Sequence, residues 1–130
     1  DNSKLASTLI LEESLVLCNP IANGENPMKE WALYPDKSRT RALIDEGIQA
    51  LGLEPNTIIQ SSNPQILRQL VVLGLATSIL PEQIAEESNN IYVGKEIARR
   101  RITALRRANS PFDPKVANLI SLALQVYNKV

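Results

Sequence analysis

The chain has 130 residues, with 14 Lys and Arg against 14 Asp and Glu, so its formal net charge is zero, and 44% of its residues are hydrophobic. That suffices for one ordinary core and argues against both disorder and a strongly basic nucleic-acid surface. With no histidine and one cysteine, a Ser-His-Asp or Cys-His nucleophile system and a Cys/His zinc site are excluded, so the chain is read as no enzyme, without metal or cofactor.

The amino-terminal stretch DNSKLASTLI has neither the charged nor the apolar segment of a signal peptide, and no apolar run approaches the roughly 18 residues of a membrane span. A cytoplasmic chain with no membrane contact is the resulting expectation. It begins at Asp1 rather than Met, which is read as a chain whose upstream part has been removed. Cys18 has no second thiol to pair with, fits a reducing compartment, and is expected as a small buried hydrophobe.

Taken in order, residues 14–18 (SLVLC, closed by Asn19-Pro20) and 31–34 (WALY, closed by Pro35) have the length and turn boundaries of strands, with turn-rich IANGENPMKE between them. Trp31 is expected in the core or an interface. Residues 38–51 carry Leu43, Ile44, Ile48 and Leu51 at helical spacing. Ser38 or Thr40 can cap that helix, Gly52 suits a left-handed C-cap and Pro55 blocks continuation. Residues 57–60 (TIIQ) read as a strand. Ser61, Ser62 and Asn63 follow as capping candidates, and Pro64 opens a helix to about residue 73 whose face is Ile66, Leu67, Leu70 and Val71. Gly74 can supply the positive φ that ends it. Residues 77–80 then form a buried strand, and Pro81 begins a short helix with Glu82 in its first turn. Strands alternating with helices predict an α/β fold, a mainly parallel sheet with helices on both faces, whose ligands bind where helices begin at the carboxyl edge.

The stretch SSNPQILRQLVVLGLATSILPEQIAEE resembles the glycine-then-proline signature in the effector-binding domain of LysR-type transcriptional regulators. LILEESLVLCNP, WALYPDKSRTRALIDEGIQALGL and RRITALRRANSPFDPKVANLISLAL resemble, in order, that family's entry strand, its second strand with ligand loop and helix, and its closing strand, turn and carboxyl-terminal helix. The resemblance covers essentially the whole chain. It departs at Ala76, where the family pattern has a second glycine, so a positive φ there would strain the turn. The resemblance implies a periplasmic-binding-protein-like (type 2) domain. Residues 1–95 would form its second subdomain with the entry strand, and 96–130 the returning strand and helix of an otherwise missing first subdomain. It further implies a small-molecule effector, closure of an inter-subdomain cleft that modulates transcription, and a homo-oligomer, dimer or tetramer. DNA would be reached only through a helix-turn-helix absent from this chain. With the first subdomain incomplete, self-association or a complementary fragment is expected. A solute-binding receptor half without a regulatory role shares the same fold and stands as the alternative; an enzyme built on Asp36, Lys37 or Arg39 would need a strongly perturbed pKa in the cleft.

Candidate ligand-binding residues are Asp36, Ser38, Arg39 and Thr40 at one helix start, Ser61 and Ser62 at the next, and Thr77 on the third strand. Free N–H groups and the helix dipole favour an anion at such starts, and Arg39 would suit a small carboxylate. Ordinary capping is the competing reading for each start, and a core role for Thr77. The run Arg99, Arg100, Arg101, Arg106 and Arg107 is expected to be a solvated closing strand rather than a nucleic-acid surface, because interleaved aromatics and net positive charge are missing.

Overall fold

The structure, a computed structural model, describes residues 6–107, with side chains from 10 to 103. The expected carboxyl-terminal helix lies outside the described residues. Five strands, β1 (Ala6–Pro20), β2 (Glu30–Leu33), β3 (Asn56–Gln60), β4 (Thr77–Pro81) and β5 (Ile91–Arg107), form one sheet in the order β3-β2-β4-β1-β5. Among the described residues three α-helices accompany them, α1 (Arg39–Ala50), α2 (Pro64–Val72) and the single-turn α3 (Glu82–Ala85), and a 3-10 turn at Ile21–Asn23 follows β1.

The sheet is mixed, which corrects the expectation of a mainly parallel one. β2 pairs in parallel with β3 and β4, while β1 pairs antiparallel with both β4 and β5. The reason is connectivity. Helices α1 and α2 carry β2 into β3 and β3 into β4 as parallel crossovers, but no helix of crossover length separates β1 from β2. β1 is therefore free to run against the other four, and its place between β4 and β5 makes both of its ladders antiparallel.

Burial of consecutive residues shows that both faces of the central strands are covered. Trp31, Ala32 and Leu33 in β2, all of β4, and the stretch from Leu15 to Cys18 in β1 are buried, as expected for strands between helical layers. Trp31 is part of this core. Burial pushes the Cys18 thiol up to about 12, partly offset by a backbone hydrogen bond from Leu80, so the thiol stays protonated and unreactive.

Ser38 caps α1 by accepting from the Arg41 N–H, and the helix buries Thr40, Ile44 and Ile48 at four-residue spacing. Asn63 caps α2, with Pro64 in its first turn and Leu67 and Val71 buried; Ile66, expected on the inner face, is 49% exposed. Gly52 (φ 71°) and Gly74 (φ 78°) end these helices in the left-handed region. Buried Ala76 has no positive φ, so its departure from the family pattern brings no strain. Gly47 answers a different need, close approach. A Cβ there would lie 2.6 Å from Ile97 Cγ2 and collide with the Ile97 carbonyl, so α1 can lie against β5 only because residue 47 has no side chain.

Beyond the five-stranded body, β1 and β5 continue as a two-stranded ribbon. Ala6 pairs with Arg107 and Ser14 with Arg99, and nine residues of strand reach about 30 Å. Leu15 lies opposite Pro81, the last residue of β4, so the ribbon leaves from the carboxyl edge of the parallel strands.

Candidate functional site

At that carboxyl edge, β2 ends and the chain turns through Pro35 into α1. Ser38 Oγ donates to the Pro35 carbonyl at 2.9 Å and accepts from the Arg41 N–H at 3.1 Å. Capping thus uses the third amide of the helix, while those of Arg39 and Thr40 make no hydrogen bond among the described residues. The Arg39 side chain is exposed and forms no ion pair there. It borders a groove with Ala42, Leu43, Glu46, Arg100 and Arg101. The positive end of this 12-residue helix thus keeps two N–H groups without a partner among the described residues, and such groups favour an anion. Asp36 is exposed, and its N–H donates to Gln60 Oε1 at 2.8 Å, tying the loop before α1 to the end of β3.

The start of α2 is closed by comparison. Ser61 N–H continues the sheet onto the Leu33 carbonyl, Ser61 Oγ accepts from Asn63 N–H, and Asn63 Oδ1 accepts from Gln65 N–H at 2.9 Å. Pro64 has no N–H, and the Ile66 and Leu67 amides both reach the Asn63 carbonyl. The exposed Ser62 is the group left open toward solvent.

Thr77 stands apart from the other six candidates. It opens β4 opposite Trp31, which places it at the amino edge of the parallel strands. Its hydroxyl is also fully used, donating to Asn19 Oδ1 and accepting from the Met28 N–H, both at 2.7 Å.

One residue that sequence reasoning placed in solvent is buried. Arg99 and Arg101 are exposed, paired with Glu12, and Arg99 also with Glu96; the Ser14 hydroxyl and Arg99 hold the Glu96 carboxyl below the usual range. The Arg100 side chain between them is fully buried. Its Nε donates to Glu13 Oε2 at 2.7 Å, its Nη1 to Thr40 Oγ1 at 3.1 Å, and its guanidinium carbon lies 5.9 Å from the centre of the Tyr34 ring. The overlooked signal was alternation: three successive strand residues cannot all face solvent when one face of the strand is covered. Arg106 and Arg107 continue β5, but their side chains lie outside those described. Thr40, expected to face a ligand, instead turns its hydroxyl inward to Arg100 and keeps only its N–H open.

Residues 1–128 match the family described as the LysR substrate binding domain. The chain belongs to that family. Accordingly it is a domain of the type that binds effectors in LysR regulators, a family of regulatory transcription-factor domains. Among solved structures, the full-length hypochlorite-specific LysR-type regulator HypT from Salmonella typhimurium matches with a TM-score of 0.65 at 18% identity, over 96% of this chain and 47% of that one. The bromide-bound regulatory domain of the same protein matches at 0.61 and 20%, over 95% and 65%. The Synechocystis CcmR regulatory domain in complex with 2-PG matches at 0.58 and 11%, over 95% and 68%. At these identities the likeness establishes the fold alone, and the chain spans about half of the full-length regulator. A search of curated proteins finds no match. Among its described residues this LysR domain has no helix long and apolar enough to cross a membrane and no cluster of potential metal ligands.

Proposed function

We propose that the start of α1 receives the anionic group of a small-molecule effector, in a cleft at the carboxyl edge that the remainder of a LysR-type regulator completes. The observation that carries this reading is the pair of amides at Arg39 and Thr40 left open among the described residues, on a helix start whose Arg39 side chain is exposed and makes no ion pair among them. The bound bromide and 2-PG named for two structural neighbours are in keeping with an anion. In this reading, residues 1–95 are the second subdomain, 96–130 return toward the first, and the β1–β5 ribbon joins them. Effector binding biases closure of the cleft, and the change reaches DNA through a helix-turn-helix carried elsewhere in a cytoplasmic homo-oligomer.

Of the candidates, Arg39 and the amides of residues 39 and 40 bind the anion directly. Ser38 holds the turn, Ser61 and Asp36 hold the neighbouring loops together, and Ser62 borders the cleft. Titrating the chain with inorganic phosphate while following backbone amide shifts tests the site. The amides of 39 and 40 should respond first, and Arg39→Ala should weaken binding by roughly one to two orders of magnitude, the worth of one charge-assisted hydrogen bond at about 1.5–3 kcal/mol. Full affinity in the Arg39→Ala chain would reject the assignment.

A further inference from the structure

The body and the ribbon meet at one place, and α1 touches it twice. Gly47 lies against the backbone of Ile97, and Thr40 accepts from Arg100. Seven helical residues and three strand residues each span about 10 Å, so the helix and β5 run past one another in opposite directions and meet at both points. Ile97 is the extra residue where the ladder steps from Leu15↔Ala98 to Val16↔Glu96, a bulge that bends β5 as it leaves the body. Three residues further, Arg100 faces inward and joins three elements: Glu13 on β1, Thr40 in the first turn of α1, and Tyr34 at the end of β2.

We propose that Arg100 is a positioning residue that couples the α1 start to the ribbon, so that an anion on the open amides of Arg39 and Thr40 and the set of the β1–β5 ribbon respond to one another. The inference rests on the anion site proposed above. Thr40 is the physical link, because it offers its N–H to the cleft and its hydroxyl oxygen to the buried guanidinium. Glu13 is the output, lying directly opposite Arg100 in the ladder with its side chain only 11% exposed. That desolvated pair locks β1 to β5 at the base of the ribbon, since moving either partner leaves a buried charge uncompensated. The hydrogen bond from Arg100 Nη1 to Thr40 Oγ1, in which a buried cation donates, ties the first turn of α1 to that base, so a shift of one strains the other. A buried arginine that merely filled the core would need neither the Thr40 bond nor the placement of Glu13 on the exiting strand.

The test compares the 130-residue chain with Arg100→Lys, using inorganic phosphate as probe and chloride at equal ionic strength as control. In the parent chain, phosphate should shift the amides of 39 and 40 and slow hydrogen exchange in the ribbon, at residues 10–14 and 99–103, about fivefold. Lysine keeps the charge but cannot fork to Glu13 and Thr40 at once. Arg100→Lys should hold phosphate within about threefold of the parent while the ribbon response disappears. A ribbon that still responds in Arg100→Lys overturns the proposal. A ligand-free cycle decides independently: Glu13→Gln and Thr40→Val should couple by about fivefold in the unfolding constant when Arg100 is present and not when it is Met. Absence of coupling with Arg100 in place overturns the proposal even if phosphate binds. If phosphate leaves residues 39 and 40 unmoved while the coupling is found, the anion site fails and the mechanical link through Arg100 stands.

Discussion

Helices α1 and α2 begin at the same edge of the same sheet, each after a parallel strand and each behind a polar cap, yet their starts are chemically unlike. At α2, proline, asparagine and serine satisfy or remove every early amide of the helix. At α1, among the described residues, serine satisfies one amide and leaves two, with Arg39 outside making no ion pair and Arg100 paired beneath. The difference teaches that a helix start becomes a ligand site through what its cap leaves undone. Both starts carry the same dipole, so the dipole cannot distinguish them; the inventory of unused donors can.

The largest expected effect comes from moving α1 itself. Gly47→Ala drives a methyl into the carbonyl of Ile97, a backbone atom that cannot rotate away, and should cost about 3 kcal/mol or more. Urea unfolding measures the loss, and phosphate affinity should fall with it because the α1 start is displaced. No comparable glycine contact holds α2. A Gly47→Ala chain as stable as the parent would mean that α1 is not seated by β5.

Removing the caps should separate the two starts more finely. Ser38→Ala and Asn63→Ala each delete one side-chain acceptor and should each cost about 1 kcal/mol. Phosphate should then return part of the lost stability in Ser38→Ala, where a third amide becomes available beside two open ones, but not in Asn63→Ala, where the freed Gln65 amide stands alone. Thermal unfolding with and without phosphate reads this directly, since a ligand stabilises only what it binds. Equal rescue of both variants would erase the distinction between the helices.

How much of this was legible in the sequence varies with the physical rule involved. The helix of 38–51, its cap at Ser38 and its glycine stop, the proline-led helix at 64 and the strand after Gly74 follow from local chemistry and occur where it places them. The direction of β1 did not follow, because alternation of strands and helices was extended to a strand that no helix follows. Its length was missed too, because the apolar run that marked the strand begins at Leu15, while Glu12, Glu13 and Ser14 before it are polar. Ser38 and Arg39 were legible as a helix start, whereas Thr77 was misplaced because strand order and polarity decide which edge a residue occupies. Arg100 was misread for a further reason. Runs of like charge are usually solvated, and only the alternation of a strand with one covered face turns the middle residue inward. Gly47 gave no signal at all, since a helical glycine reveals its purpose only when its neighbour is known.

The smallest expected effect decides whether the two starts act together. Ser62 is exposed, its hydroxyl has no partner among the described residues, and it stands just before the closed start of α2. Ser62→Ala should therefore leave stability within about 0.5 kcal/mol of the parent, as surface substitutions do. If the anion sits on α1 alone, phosphate affinity should change by less than about threefold, well below the loss of a charge-assisted hydrogen bond. An anion shared between both helix starts would need Ser62, because the α2 amides behind it are already used. A tenfold loss in Ser62→Ala, with no change in stability, would show that α2 contributes through that hydroxyl and that its closed cap does not exclude it from the site. An unchanged titration would leave α1, with its two amides and Arg39, as the anion-binding element of this half of the cleft.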